Sequence, residues 1–188
     1  MNHSHIIDQI IKERRTIKKF KEERVPTEEI IDILEVAKYA PNHKMTEPWR
    51  FILFQKEQMA TFADAFEKAA LHKHGEVHAR AQAKSAHYRE DIPMTLVVTM
   101  EESTDEKTWD EDFGAVSALI QNIQLAAWAR GIGMIWRTNR YIYEDTFKEA
   151  IGVQPNERIV ATLMIGYPDF IPPAKERTPI QEKLTIVE

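Results

Sequence analysis

From Phe113 to Arg130 the chain reads as one long helix with little face left for water. Val116, Leu119, Ile120, Ile123 and Ala127 recur at helical spacing along one side, and the other sides are rich in alanine. A helix of this kind has to be enclosed nearly all round, so the remaining elements must pack about it. Gly131 and Gly133 end it, and their simplest reading is a helix C-cap. Met134–Thr138 then leaves the glycine turn as a short strand. With 188 residues the chain is long enough for a sizeable core in a single domain, residues 1–188.

The rest alternates loosely between helices and strands, with two helices before any strand. Residues 5–15 are amphipathic. Pro26-Thr27-Glu28-Glu29 starts a second helix, with Thr27 as the candidate cap and Ile30, Ile33, Leu34 and Ala37 on its buried side. Pro41 stops it near Tyr39, and the loop 40–48 follows between two prolines. Trp49–Phe54 reads as a strand with Arg50 inside it, and 56–71 as a helix. Residues 72–91 are polar, either an exposed second helix or a mobile excursion. Pro93–Met100 is a buried strand. The acidic stretch Glu101–Asp112 reads as a solvated loop leading into the long helix, and Asn122 within that helix is expected to bond locally. A short helix over 143–151 ends at Gly152, and Arg158–Gly166 is the last core strand. The tail from Tyr167 carries Pro168, Pro172, Pro173 and Pro179. It is expected to lie extended over something, with 184–187 able to pair as an edge strand on a partner.

Chemistry concentrates near the start, in Arg14-Arg15-Thr16-Ile17-Lys18-Lys19-Phe20. Arginine grips two oxygens at once, lysine adds point charge, and threonine donates one hydrogen bond. Ile17 and Phe20 can pin the segment to a core. The set suits a dianionic phosphate held by side chains, because the C-terminal end of the preceding helix carries the wrong sign of dipole. A solvated basic turn is the plainer alternative.

Other chemistries find less support. The net charge of −5 argues against a broad grip on nucleic acid, and zero cysteines remove disulfides, thiolate nucleophiles and thiolate metal sites. The lack of cysteine agrees with a cytoplasmic location. No apolar run reaches membrane-spanning length. His72, His74 and His78 have no carboxylate placed to complete a metal set, so no metal is expected. No Gly-x-Gly-x-x-Gly follows a first strand, so a Rossmann dinucleotide unit is not supported.

In order along the chain, Arg14-Arg15-Thr16, Ala40-Pro41-Asn42-His43-Lys44 with Pro48-Trp49, the alanine-rich helix ending at Gly131, Gly133–Thr138, and Lys175-Glu176-Arg177-Thr178-Pro179 together resemble the flavin-dependent nitroreductases, particularly short single-domain bacterial members. The resemblance implies an α+β fold: a three-layer sandwich whose mostly antiparallel central sheet is flanked by helices, in a domain-swapped homodimer with FMN at the interface. The tail 167–188 would embrace the partner subunit. Arg14, Arg15 and Thr16 match the segment that holds the flavin phosphate and ring edge, with Thr in place of the commoner Ser. Lys18 falls where a base lies near the pyrimidine side of the ring. Tyr39 and His43 match positions that reach the partner's FMN. Trp136, Arg137 and Thr138 match the strand along the other edge of the flavin, and Lys175 and Arg177 add phosphate contacts. Ala126, Ala127, Trp128, Ala129, Arg130 and Gly131 match a segment linked with the nicotinamide nucleotide. On the residues alone, Trp49 and Trp136 read first as core aromatics and His43 as a loop cap.

The function so implied is ping-pong transfer of a hydride from NADH or NADPH, via flavin N5, to a small electron-poor acceptor such as a nitroaromatic or quinone. No side-chain acid–base pair is needed, since the flavin carries the chemistry. Two alternatives stand beside it: a same-fold flavoenzyme with dehydrogenase or flavin-modifying chemistry, and a non-catalytic module that binds a phosphate ligand.

Overall fold

The structure, a computed structural model, describes residues 3–74 and 77–187. In chain order its elements are α1 (His3–Glu13), α2 (Thr27–Ala37), β1 (Trp49–Gln55), α3 (Gln58–His74), α4 (Ala79–Glu90), β2 (Met94–Glu101), α5 (Glu106–Trp128), β3 (Gly133–Arg137), α6 (Asp145–Ala150) and β4 (Glu157–Gly166). The strands form one sheet in the order β1-β2-β4-β3, antiparallel throughout. The fold is therefore α+β, with helices on both faces of an antiparallel sheet.

Strand alternation sorts the apolar residues into two cores. Met94, Leu96, Val98 and Met100 of β2 face the helices α2 and α5, with Ile30, Ile33, Val116, Leu119, Ile120 and Ile123 opposite. Val97 of β2, Ile135 of β3 and Met164 of β4 face the other way, onto Phe62, Phe66, Tyr88, Tyr141 and Phe147 from α3, α4, α6 and the turn before α6. On β4 the pairing steps from Ala161 to Ile159 opposite consecutive β2 residues. Val160 is thus the extra residue of a bulge, and it shares the α2–α5 core with Ala161.

Several expectations need correction. Helix α5 begins well before Phe113, because Asp105 caps it by accepting a 2.8 Å bond from the Thr108 amide. Half of the supposed acidic loop is therefore helix, and its early carboxylates favour the positive end of the helix dipole. Helix α4 is not a solvated excursion. Ala81, Ser85 and Tyr88 recur at helical spacing and are buried against α3, a face that the polar composition masks. Thr27 does not cap α2; Pro26 holds that position, and the Thr27 hydroxyl pairs with Gln55 at the end of β1, 3.1 Å away. Asn122 bonds across the fold, donating at 3.4 Å to the Ala37 carbonyl at the end of α2. Residues 184–187 form no strand within this chain.

Candidate cofactor site

The basic segment lies along the free edge of β3. Thr16 bridges Met134 in parallel fashion, and the Ile17 amide donates to the Met134 carbonyl at 3.0 Å. The start of the tail runs back along the same segment: Lys21 N–H reaches the Tyr167 carbonyl at 2.9 Å, and Asp169 N–H reaches the Lys19 carbonyl at 3.1 Å. Ile17 is fully buried, with 0% exposure. Its fit depends on glycine. A Cβ on Gly133 would stand 2.5 Å from Ile17 Cγ1, and one on Gly166 would stand 2.9 Å from Phe20 Cδ1. The two apolar residues do pin the segment, and two glycines make room for them.

Pinned in this way, the segment and the tail enclose a cleft of about 890 Å³. Arg14, Arg15, Thr16, Lys18, Lys175 and Arg177 line it, joined by Phe170, Pro172 and Pro173 on the tail side. Lys19 of the basic segment lines it too, Lys12 adds charge that the sequence reading did not assign, and no carboxylate among the described residues belongs to the lining. Burial, then the neighbouring Arg15 and Arg177 guanidiniums, pull Arg14 below its ordinary pKa. An arginine stays charged under such pressure, so the cleft is a crowd of like charges that an anion would relieve. Arg14 Nη1 donates to Gln124 Oε1 of α5 at 3.4 Å, which ties the cleft to the central helix. Arg15 Nη1 donates to the Lys12 and Arg14 carbonyls at 2.7 and 2.9 Å. A cation thus covers the negative end of α1 that would repel an anion.

Lys18 also borders a second depression of about 980 Å³, which includes Arg137 and mixes cations with Asp91 and Asp169. Trp136 and Arg137 are half-buried and Thr138 is exposed. Trp136 packs against the α2–α5 core, as does Trp49. Trp136 Nε1 and Arg137 Nε are buried without a hydrogen-bond partner among the described residues. The Arg137 carbonyl accepts from Thr162 Oγ1 at 3.4 Å, and Tyr141 and Tyr88 continue that chain of hydroxyls at 3.4 and 3.3 Å. Burial pushes the Tyr88 phenol far above its ordinary value. Nearby, Lys84 Nζ stands over Tyr141, Phe66 and Tyr88, 5.1, 5.2 and 5.7 Å from the ring centroids. Burial first, then Arg137 and Arg80, lowers its pKa. Lys84 was missed because its helix looked like a solvated one.

Tyr39 and His43 line neither depression. Tyr39 is 83% exposed, and His43 Nε2 lies 3.9 Å from Glu111 Oε2. Within one chain they are not brought to Arg14. Of the nicotinamide candidates, Ala127 is buried in the core, Ala126 and Trp128 are half-buried, and Ala129, Arg130 and Gly131 are exposed. None lines the basic cleft. Gly131, at φ 74°, and the Ile132 amide, bonded to the Ala127 carbonyl at 2.9 Å, form the C-cap of α5. Arg130 reaches the Ala126 carbonyl at 2.9 Å. Among the described residues no group of three or more His, Asp or Glu is placed to hold a metal, and no helix is long and apolar enough to cross a membrane. His78 caps α4, accepting from the Ala81 amide at 3.2 Å, while the His74 side chain lies outside the described residues.

Residues 11–167 match the model of the nitroreductase family. A Bacillus subtilis (strain 168) protein named "Putative NAD(P)H nitroreductase YfhC" is 43% identical, over 97% of this chain and 95% of its own. The crystal structure of a nitroreductase-like family protein from Bacillus cereus superposes with a TM-score of 0.89 at 37% identity, covering 97% of this chain and 96% of the other. The FMN-dependent nitroreductase NfnB from Mycobacterium smegmatis, solved in complex with NADPH, shares the fold at a TM-score of 0.78 and 19% identity, with each chain covered in full (100%).

Proposed function

The chain belongs to the nitroreductase family, and from that premise we propose an FMN-dependent oxidoreductase that uses NADH or NADPH to reduce a nitroaromatic or quinone. The observation that carries this reading is the cleft in which the cations Arg14, Arg15, Lys18, Lys175 and Arg177 gather around Thr16. Its donor set fits a phosphate monoester: two oxygens for an arginine fork, a hydroxyl donor, and lysines for the second charge. The Phe170–Pro173 side offers apolar surface beside it. The names of the Bacillus subtilis and Mycobacterium smegmatis proteins support the same cofactor pair.

Bound FMN would supply the two-electron chemistry, taking a hydride at N5 and passing it on. The chain's own residues bind and orient. Arg14 and Arg177, with Lys175, hold the phosphate, and Arg14 is kept in place by Gln124. Lys18 stands between the two depressions, where its charge stabilises a negative ring edge. Trp136, Arg137 and Thr138 run along the other edge, with Arg137 at the second depression that Lys18 also borders.

A homodimer completes the reading. Beyond Asp169 the tail exposes Phe170, Ile171, Ile180, Leu184, Ile186 and Val187, from 56% to 90% of each residue. Apolar surface of that extent fits the flank of a second copy. The same copy would bring Tyr39 and His43 to the first chain's flavin. The test is a visible spectrum of the purified protein after FMN addition, followed by anaerobic titration with NADH and with NADPH. A yellow dimer bleached by one of them is expected. A colourless protein that takes up no FMN overturns the proposal.

A further inference from the structure

The loop between α2 and β1 has a backbone that ordinary residues avoid. Lys44, Met45 and Glu47 all have positive φ, at 55°, 55° and 44°, and none is glycine. Residues 43–47 are exposed, Met45 by 73%. Such a conformation persists only when surrounding bonds over-determine it, and it tends to mark functional segments.

The restraint comes from α5. Asp112, only 6% exposed, accepts a 2.6 Å hydrogen bond from the Thr46 hydroxyl. Thr46 Oγ1 accepts in turn from Asn42 Nδ2 at 2.9 Å, and Asn42 Oδ1 accepts from the Glu47 amide at 2.8 Å. A short bond to a carboxylate is the strong member of such a chain, and a buried carboxylate robbed of its donor is costly to the fold. The neighbouring turns of α5 flank the loop as well, with Glu111 facing His43 and the charge of Lys44 felt at Asp105.

We propose that Asp112 is a positioning residue: through Thr46 and Asn42 it locks the 42–47 loop in its strained form, so that His43 and Met45 project from this chain to shape the acceptor pocket of the partner copy. The assignment rests on the FMN homodimer reading above. Asp112 touches neither cofactor nor acceptor. It acts through the loop.

The experiment uses the full-length FMN-loaded protein with NADPH and p-nitrobenzoate as the acceptor probe. Thr46→Val removes the donor, Thr46→Ser keeps it, and Asp112→Asn keeps an acceptor oxygen without the charge. Thr46→Val should raise the acceptor KM about tenfold and leave FMN affinity and the rate of flavin reduction by NADPH nearly unchanged. It should also speed hydrogen exchange at the Glu47 amide. Thr46→Ser should restore both readouts, and Asp112→Asn should fall between. Unchanged KM and exchange in Thr46→Val overturn the assignment, as does a loss of FMN that tracks the KM change. Failure of Thr46→Ser to rescue also overturns it. A wild-type protein that binds no FMN would instead overturn the functional reading, and this assignment with it.

Discussion

Two segments are expected at the flavin, and they are held in opposite ways. The basic segment 14–21 is held by main chain, through amide bonds to Met134, Tyr167 and Asp169, with Ile17 and Phe20 sunk against Gly133 and Gly166. Its backbone has no positive φ, and its basic side chains line the cleft. The 42–47 loop is held by side chains, through Asn42, Thr46 and Asp112, and Lys44, Met45 and Glu47 in it have positive φ. The difference teaches where each tolerates change. The first fails when the packing beneath it is altered. The second fails when a single hydroxyl is removed.

The largest test of that contrast is Gly133→Ala. The new methyl would meet Ile17 at 2.5 Å, and overpacking of this kind costs about 2–3 kcal/mol. Urea unfolding should show the loss, with flavin retention falling alongside. Adding Ile17→Ala should recover part of it, so that the pair costs less than the sum of the two changes. Additive costs would mean that Ile17 is not what the glycine accommodates.

Arg14→Ala leaves the packing alone and removes a charge-assisted contact, roughly 1.5–3 kcal/mol of binding. FMN affinity measured by fluorescence quenching should weaken roughly ten- to hundredfold, with little change in the urea midpoint. Equal flavin content in variant and wild type would move the phosphate site elsewhere. For the loop, Lys44→Gly should have the opposite sign to Gly133→Ala and stabilise by about 0.5–1 kcal/mol, because a left-handed φ costs a side chain more than it costs glycine. A lower midpoint would show that the backbone there is not under strain.

The smallest effect serves as a control in the α3–α4 core. Tyr88→Phe removes a long bond, 3.3 Å to Tyr141, at a cost of about 0.5 kcal/mol near neutrality. The folded phenol titrates well above the ordinary value of 10.0. Once pH rises past that ordinary value, the unfolded chain loses the proton while the folded chain keeps it. Wild-type stability must then fall with pH, by up to about 1.4 kcal/mol per pH unit from this group. The variant should show a shallower alkaline limb, read by urea unfolding from pH 9 to 12, and unchanged FMN binding.

What the sequence showed of these regions follows from what each depends on. Local spacing revealed the enclosed helix α5 and the apolar pins Ile17 and Phe20, because period and burial go together. The reason for Gly133 and Gly166 was hidden, since their neighbours Ile17 and Phe20 are remote in sequence. The bond from Thr46 to Asp112 spans 66 positions, and nothing local marks either residue. Helix α4 escaped for a different cause: its buried face consists of alanine, serine and one tyrosine, which a hydropathy scan averages away. The basic cleft was half visible. Its charges were plain, but the tail that closes it had only its prolines to show that it would lie extended.

That closure couples two remote segments of the chain in the order of folding. Lys19 and Lys21 find their backbone partners at Asp169 and Tyr167, so the cleft has no second wall until segments about 150 positions apart have come together. Contacts of such long range form late. A chain whose sheet has formed but whose two segments have not yet met would therefore hold much of its core and still lack the basic cleft.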